Sequence, residues 1–386
     1  MYNIKTLNKI SAPGLDLLSS FGCTTGDDLT APDALLVRSA NLHEMQFAPE
    51  TACIARAGAG VNNIPIERCT EEGIVVFNTP GANAEAVKEL AVCALLLASR
   101  DVVGGIEWVR GIAGDDGVAA KVEKGKSAFI GPELMGKTLG VIGLGAVGAK
   151  LANAAIALGM NVYGYDPYLS VDAAWNLSSS VVHAHDLETI YKCCDYLSLH
   201  VPYMDSTHHM LNAEAFAQMK KGVRVINLAR GELVDDDAML EALAEGVVTR
   251  YVTDFPNDKT AGAAGVVALP HLGASTPESE EKCALMAAKD LYEYLKNGNI
   301  NHSVNLPNVS LERMGEARLC VIHRNVPRMI TGFLDLIGDR NINVEHMINK
   351  PRGEYAYTII DTGSKIDNEI VRKIEQMDEV MRVRVI

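Results

Sequence analysis

One stretch constrains this chain more than any other: GKTLGVIGLGAVGAKLANAAIALGMNVYGYDP, residues 136–167. Thr138–Ile142 reads as a short buried strand, Gly143, Gly145 and Gly148 as a G-x-G-x-x-G turn, and residues 149–158 as a helix. A second strand, Asn161–Tyr165, follows and ends on Asp166. Gly143 permits a tight turn, Gly145 lets backbone approach a pyrophosphate, and Gly148 lets helix and strand pack closely. The first free N–H groups beyond the turn, at Ala146 and Val147, carry partial positive charge suited to phosphate. An acid roughly twenty residues past such a turn suits ribose hydroxyls and repels a 2′-phosphate. A lone glycine triplet is commonly structural. Here strand, triplet, helix, strand and acid come in the required order, which predicts a dinucleotide site that prefers NAD to NADP.

The chain has 386 residues, 48% of them hydrophobic, enough for two or three domains with real cores. Its net charge of −14 argues against nucleic acid or an anionic membrane as the main partner. A small anionic substrate remains compatible, because a few arginines in one cleft reverse the sign locally. The eight cysteines show no metal-ligand spacing and read as reduced core thiols, with no metal expected. MYNIKTLNKI lacks the apolar core of a signal peptide, and the longest apolar run, residues 90–98, is too short to span a bilayer. A soluble, cytoplasmic protein is expected.

The first hundred residues alternate short strands with helices. Ala34–Val37 runs into Arg38 and Ser39, residues 53–57 into Gly58 and a loop holding Asn62, and residues 74–78 into Thr79-Pro80-Gly81. Open α/β sheets place ligands at such strand ends. Asn83 is placed to cap the helix 84–100, which is apolar nearly all round and is expected to pack against another domain or subunit. Residues 101–136 show little periodicity, and their basic end, with Lys124 and Lys126, reads as solvated surface before a phosphate contact. The βα alternation then continues, with strands ending at Val201 and Pro202, at Ala229 and Arg230, at Asp254 and at His271. Residues 297–307 read as a linker. Beyond it, 318–322, 341–348, 355–360 and 381–385 read as strands and 327–338 and 367–377 as helices. That βαββαβ order is ferredoxin-like and reads as an appended sensor or assembly module.

Arg230, Asp254 and His271 form the chemical constellation. Oxidation of a 2-hydroxy acid needs a cation to hold the carboxylate, and a planar guanidinium does so bidentately. It also needs a group for the hydroxyl proton, and an imidazole titrates near working pH. Singly, either residue would more often be a surface ion pair or a satisfied structural histidine. Their shared placement just after strands favours catalysis.

NLARG at 227–231, HVP at 200–202 with Thr207, the strand end at Asp254 and PHLGAST at 270–276 resemble the D-2-hydroxyacid dehydrogenase family. The C-terminal module resembles an ACT domain. The resemblance implies an α/β fold of two doubly wound Rossmann-like domains plus a ferredoxin-like ACT-type domain. Its boundaries are a discontinuous substrate domain at 1–98 and 275–305, a nucleotide domain at 99–274, a linker at 306–315 and the ACT-like domain at 316–386. It further implies an NAD-dependent oxidoreductase acting on a phosphorylated 2-hydroxy acid in amino-acid biosynthesis, assembled as a homodimer or homotetramer, with a possible amino-acid effector. By motif, Arg230 holds the carboxylate, His271 exchanges the proton, and Gly143, Gly145, Ala146, Val147, Gly148, Asp166, Val201, Pro202, Thr207, Ala229, Asp254, Gly273 and Ala274 meet the cofactor. Arg38, Ser39, Arg56, Ala57, Gly58, Asn62 and Asn83 match the substrate side, with Arg38 and Arg56 the first candidates for the phosphate. The alternatives are a dehydrogenase for glyoxylate or hydroxypyruvate, or a non-catalytic NAD or amino-acid sensor.

Two departures stand out. Where the family reads D-V-F-x-x-E-P, this chain reads DFPNDKT, so the histidine-orienting glutamate falls on Lys259 or, after a one-residue deletion, on Asp258. A lysine beside the imidazole would disfavour its protonation, so Asp258 is the expected orienting acid. In the C-terminal module, His323, Asn325 and Asn343 match effector contacts, but the turn N-V-P-R puts Arg328 where glycine is usual. Weak or absent serine sensitivity follows as the expectation.

Overall fold

The computed structural model describes residues 1–386 and every side chain except that of Asp172. Packing divides the chain into two compact units, Met1–Asn83 with Pro277–Ile386, and Ala84–Thr276.

In the first unit, five parallel strands, β1 (Asn3–Leu7), β2 (Thr24–Gly26), β3 (Ala34–Val37), β4 (Cys53–Arg56) and β5 (Val75–Phe77), lie in the order β2-β1-β3-β4-β5. β3 and β5 are wholly buried runs, as strands covered on both faces must be. The helix Pro277–Asn297 returns late in the chain to cover one face, where Ala284, Ala288, Leu291 and Tyr294 pack with Ile4, Leu36, Cys53 and Phe77.

The second unit holds seven parallel strands, β6 (Thr138–Ile142), β7 (Asn161–Tyr165), β8 (Val182–His183), β9 (Tyr196–Leu199), β10 (Val223–Asn227), β11 (Val248–Thr253) and β12 (Val266–Ala268). Their order, β12-β11-β10-β9-β6-β7-β8, reverses direction between β6 and β9, the switch point at which doubly wound sheets hold ligands. The helix Ala84–Ser99 belongs to this unit, so the packing boundary falls at Asn83 rather than at residue 98. Its Ala91, Ala94, Leu95 and Ala98 join Leu139, Val141, Leu151 and Ile226 in one core, which explains its apolar surface. The segment without periodicity is helical in pieces, Val102–Gly111, Val118–Gly125 and the 3-10 turn Lys126–Phe129. Trp108 packs on Phe129 at 5.4 Å between ring centroids, and a Cβ at Gly125 would come within 2.5 Å of the indole. Tertiary ring packing, invisible to periodicity, orders this region.

The C-terminal module is an antiparallel sheet, β13 (Ala317–Arg324), β14 (Val344–Arg352), β15 (Tyr355–Thr362) and β16 (Val380–Val385), in the ferredoxin-like order β14-β15-β13-β16. The helices Met329–Gly338 and Asn368–Glu375 cover one face through Leu319, Val321, Phe333, Ile337, Ile370 and Ile374. The other face supplies Cys320, Ile322, Tyr357 and Ile359 to the same core as Ile4, Phe77 and Tyr294. Arg318, fully buried, forms a bidentate pair with Asp361 at 2.6 and 2.7 Å and donates its remaining terminal nitrogen to the carbonyls of Asn297 and Leu311. Tyr357 Oη donates to the Gly298 carbonyl at 2.6 Å, and Arg384 to those of Tyr294 and Leu295. The module is built into the first unit rather than appended to it. Among the described residues, no helix is long and apolar enough to cross a membrane.

Candidate active site

The glycine turn after β6 is held by close approaches. Gly143 has φ +91°, and a Cβ there would sit 2.6 Å from the His200 carbonyl oxygen at the end of β9. A Cβ on Gly148 would sit 1.9 Å from the Gly143 carbonyl oxygen. The helix Ala146–Ala157 starts directly after Gly145, earlier than expected, because Gly148 lies within its first turn and serves packing rather than propensity. Nothing lies within 4 Å of a Cβ built at Gly145, and no side chain caps the helix. The unpaired N–H groups at Ala146 and Val147 therefore begin a helix whose mouth is open, as a pyrophosphate requires.

Asp166 completes this cradle. Its Oδ2 accepts the Leu144 N–H and its Oδ1 the Tyr168 N–H, both at 2.9 Å. Each oxygen keeps a lone pair for a ribose hydroxyl. The carboxylate borders a cleft of about 480 Å³ lined also by Leu144, Leu169, Leu177, Val181 and His183. Apart from Asp166, this lining went unread in the sequence. β8 is two residues long, and the apolar residues before it have no period to reveal a shared wall.

Further strand ends meet at the same carboxyl edge. After β9, burial pushes the His200 imidazole down to about 4, and its Nε2 pairs with Ser198 Oγ at 2.8 Å, so this histidine stays neutral and structural. Val201 is half-buried and Pro202 exposed, and Thr207 Oγ1 closes their loop by donating to the Pro202 carbonyl at 2.8 Å and accepting the Met204 N–H. After β10, buried Asn227 accepts the Ala229 N–H and donates to the Arg230 carbonyl at 2.7 Å, which fixes the bend that exposes the Arg230 side chain. The Arg230 Nη1 also donates to the Ala229 carbonyl at 2.6 Å.

Asp254 ends β11 almost completely buried. Burial pushes its carboxyl up, while His271, the Gly273 N–H, its own backbone N–H and Arg230 act in the opposite direction, and its Oδ1 has no hydrogen-bond partner among the described residues. The PHLGAST loop, with half-buried Ala274, closes on this acid through the Gly273 N–H. The exposed imidazole of His271 packs on the Phe255 ring at 4.5 Å between centroids and 49° between planes. The Arg230 guanidinium carbon lies 5.8 Å from the centroid of that same ring. Arg230, Asp254 and His271 thus assemble around Phe255, a residue sequence reasoning passed over although it follows the strand-end acid directly.

Asp258 does not join them. It is exposed on the turn after Phe255, and no hydrogen bond connects it to His271. Asn257 organises that turn, accepting the Lys259 N–H and donating to Asp236, while Lys259 Nζ reaches Asp237 at 2.7 Å. The buried carboxylate on which His271 acts electrostatically is Asp254.

A family model for the D-isomer specific 2-hydroxyacid dehydrogenase NAD binding domain matches residues 94–273. The D-3-phosphoglycerate dehydrogenase of Haemophilus influenzae is 31% identical over 89% of this chain and 83% of its own length. The chain belongs to the D-isomer specific 2-hydroxyacid dehydrogenase family. The namesake enzyme of Methanocaldococcus jannaschii is 35% identical over 74% of this chain but only 54% of its own length, so the chain spans about half of that relative. A hydroxypyruvate reductase of Thermotoga maritima is 37% identical over 68% of this chain and 85% of its own. The fold matches that of NAD+-bound 3-phosphoglycerate dehydrogenase from Entamoeba histolytica, with a TM-score of 0.62 and 24% identity over 79% of this chain and 98% of that one. The second unit is accordingly the family's NAD-binding domain, and the glycine turn and Asp166 fit that cofactor.

The first unit gathers its own strand-end residues. Arg38 and exposed Ser39 follow β3, Arg56 ends β4, and half-buried Ala57 and Gly58 come next. Arg38 pairs with Glu280 at 2.7 Å, and Arg56 Nε donates to the Arg38 carbonyl at 2.9 Å. The Arg56 Nη1 holds the Gly60 carbonyl, so this guanidinium shapes the loop that carries exposed Asn62. Asn83, half-buried, closes the unit. Lys124 and Lys126 are exposed in the second unit, Lys126 paired with Glu123. In the C-terminal module His323 is buried, its Nδ1 on the Arg324 carbonyl and its Nε2 on Thr358 Oγ1. It is a satisfied core histidine. Asn343 donates to Glu345, and Asn325 is exposed.

Proposed function

We propose that the chain oxidises 3-phospho-D-glycerate to 3-phosphohydroxypyruvate, the first step of L-serine synthesis, in the cytoplasm. The observation that carries this reading is the assembly of Arg230, Asp254 and His271 around Phe255 at the carboxyl edge of an NAD-binding sheet. The likeness to D-3-phosphoglycerate dehydrogenases supports the choice of substrate. When bound, NAD supplies the hydride acceptor. Arg230 clamps the substrate carboxylate through its planar fork. His271 takes the hydroxyl proton as the C2 hydride departs, leaving a carbonyl at C2. Buried Asp254 stabilises the imidazolium that forms and fastens the loop bearing it. The pyrophosphate rests on Ala146 and Val147, and Asp166 takes the ribose hydroxyls. Val201, Pro202, Thr207, Ala229, Gly273 and Ala274 line the nicotinamide side.

The first unit's strand-end loops, with Ser39, Ala57, Gly58, Asn62 and Asn83, hold the substrate body. Arg38 reads the phosphate by exchanging Glu280 for it. Arg56 acts by shaping the loop. The exposed apolar stripe Val102, Ile106 and Val109, with Leu96, supports assembly with a second copy through the NAD-binding unit.

The hydroxypyruvate reductase relative supports a second reading, in which the same residues work on a substrate without phosphate. Following NADH with 3-phosphoglycerate, glycerate, D-lactate and, in reverse, hydroxypyruvate separates the two. The proposal expects 3-phosphoglycerate to give the highest kcat/KM, and higher efficiency with hydroxypyruvate or glycerate sinks it. Asp166→Ala should also relax NAD preference over NADP by roughly tenfold, about 1.4 kcal/mol.

A further inference from the structure

We infer that Phe255 is the positioning residue for His271, doing by ring packing what a hydrogen-bonded carboxylate does when a catalytic imidazole has one. The inference rests on the dehydrogenase reading above. Among the described residues, no carboxylate is hydrogen-bonded to the His271 ring, which packs on the Phe255 ring at 4.5 Å between centroids and 49° between planes. Both candidate orienting residues are drawn elsewhere, Asp258 into solvent and Lys259 onto Asp237. Phe255 itself is well anchored. Its N–H donates at 3.1 Å to Thr253 Oγ1 on a fully buried residue, and its chain neighbour Asp254 is buried against the Gly273 loop. The backbone that carries the ring is therefore anchored at the strand end, and the ring lies against the imidazole.

The same ring faces the Arg230 guanidinium, so one side chain spaces the substrate-binding cation from the proton acceptor. The one-residue offset that brings phenylalanine directly behind the strand-end acid, and that removes the glutamate, thus has one structural consequence. The orienting element moves from a charged side chain four or five residues beyond the strand-end acid to the aromatic residue next door.

The test compares Phe255→Leu, which keeps apolar bulk, with Phe255→Tyr, which keeps the ring. Phe255→Leu should lower kcat roughly 10- to 100-fold through lost orientation and leave the KM for NAD near its original value. Phe255→Tyr should restore most of the turnover. Independently of activity, the His271 ring resonance in histidine-labelled protein, assigned by its loss in His271→Gln, should move in Phe255→Leu and stay in Phe255→Tyr. Full turnover in Phe255→Leu with an unmoved His271 resonance overturns the inference, as does equal loss in the leucine and tyrosine variants. A wild-type chain inert toward every 2-hydroxy acid overturns instead the reading on which it rests.

Discussion

The turn after β6 and the turn after β13 each carry a strand into a helix, and they differ in what they leave open. The first spends three glycines on keeping side chains away, so that a helix start stands bare with nothing within 4 Å of the Gly145 position. The second reads Asn325-Val326-Pro327-Arg328, and Arg328 occupies the N-cap at φ +76° with an exposed side chain. At the end of β13, His323 has both ring nitrogens bonded and meets the Phe333 ring edge-on at 5.2 Å between centroids. Strand-turn-helix geometry is common to both. Binding capacity resides in donors that the fold leaves unsatisfied and accessible, and the first turn has them.

The C-terminal module's capacity has gone into packing instead, and the largest expected effect tests that. Removing one partner of a buried ion pair strands the other in low dielectric, which costs about 3–5 kcal/mol. Arg318→Ala should lose that much on urea unfolding of the first unit, since the arginine also holds the Asn297 and Leu311 carbonyls. Deleting residues 316–386 should then leave no folded first unit, because Ile4, Phe77 and Tyr294 lose part of their core. A truncated chain that keeps its turnover and changes only in oligomer size would restore the picture of an appended module.

The glycine turn gives a paired, smaller effect. Gly148→Ala must push backbone apart and should cost about 1–3 kcal/mol of stability. Gly145→Ala has room for its methyl and should change stability by less than about 0.5 kcal/mol. It should nevertheless weaken NAD binding on the order of tenfold, about 1.4 kcal/mol, by filling the place of the pyrophosphate. Calorimetric NAD titration beside thermal unfolding separates the two. Equal losses of stability would mean that the turn is structural rather than a cradle.

Much of this architecture is legible in the chain. Buried strands announce themselves as runs of Val, Ile and Leu ended by Gly, Arg, Asp or His, and the chemistry collects at those ends. Helix starts are less legible, since Gly148 hides the first turn of a helix that begins at Ala146. The helical pieces between Val102 and Phe129 depend on Trp108, Phe129 and the space at Gly125, none of which leaves a period. The module's docking did leave a signal in β13. Leu319 and Val321 serve one face and Cys320 and Ile322 the other, where a strand with a solvated face would alternate with polar residues. Asp258 was misplaced because spacing along a loop does not set direction. Asn257 turns that loop toward Asp236, and no motif records such a turn.

The smallest effect concerns Arg328. A left-handed backbone costs a residue with a Cβ roughly 1–2 kcal/mol, and glycine repays part of that through the freedom it loses on folding. Arg328→Gly should therefore stabilise the module by up to about 1 kcal/mol, since the arginine is exposed and makes no ion pair among the described residues. The same substitution separates two reasons to expect a weak effector response. If Arg328 alone blocks an otherwise competent pocket, glycine should confer inhibition by L-serine. If the pocket is absent because His323 is spent on the Arg324 carbonyl and Thr358, glycine should add stability and no inhibition. The hydrogen bonds favour the second outcome. NADH formation should stay flat at roughly millimolar L-serine in both proteins. Inhibition in the wild type, abolished by Asn343→Ala, would show that the exposed asparagines recruit the effector without the histidine.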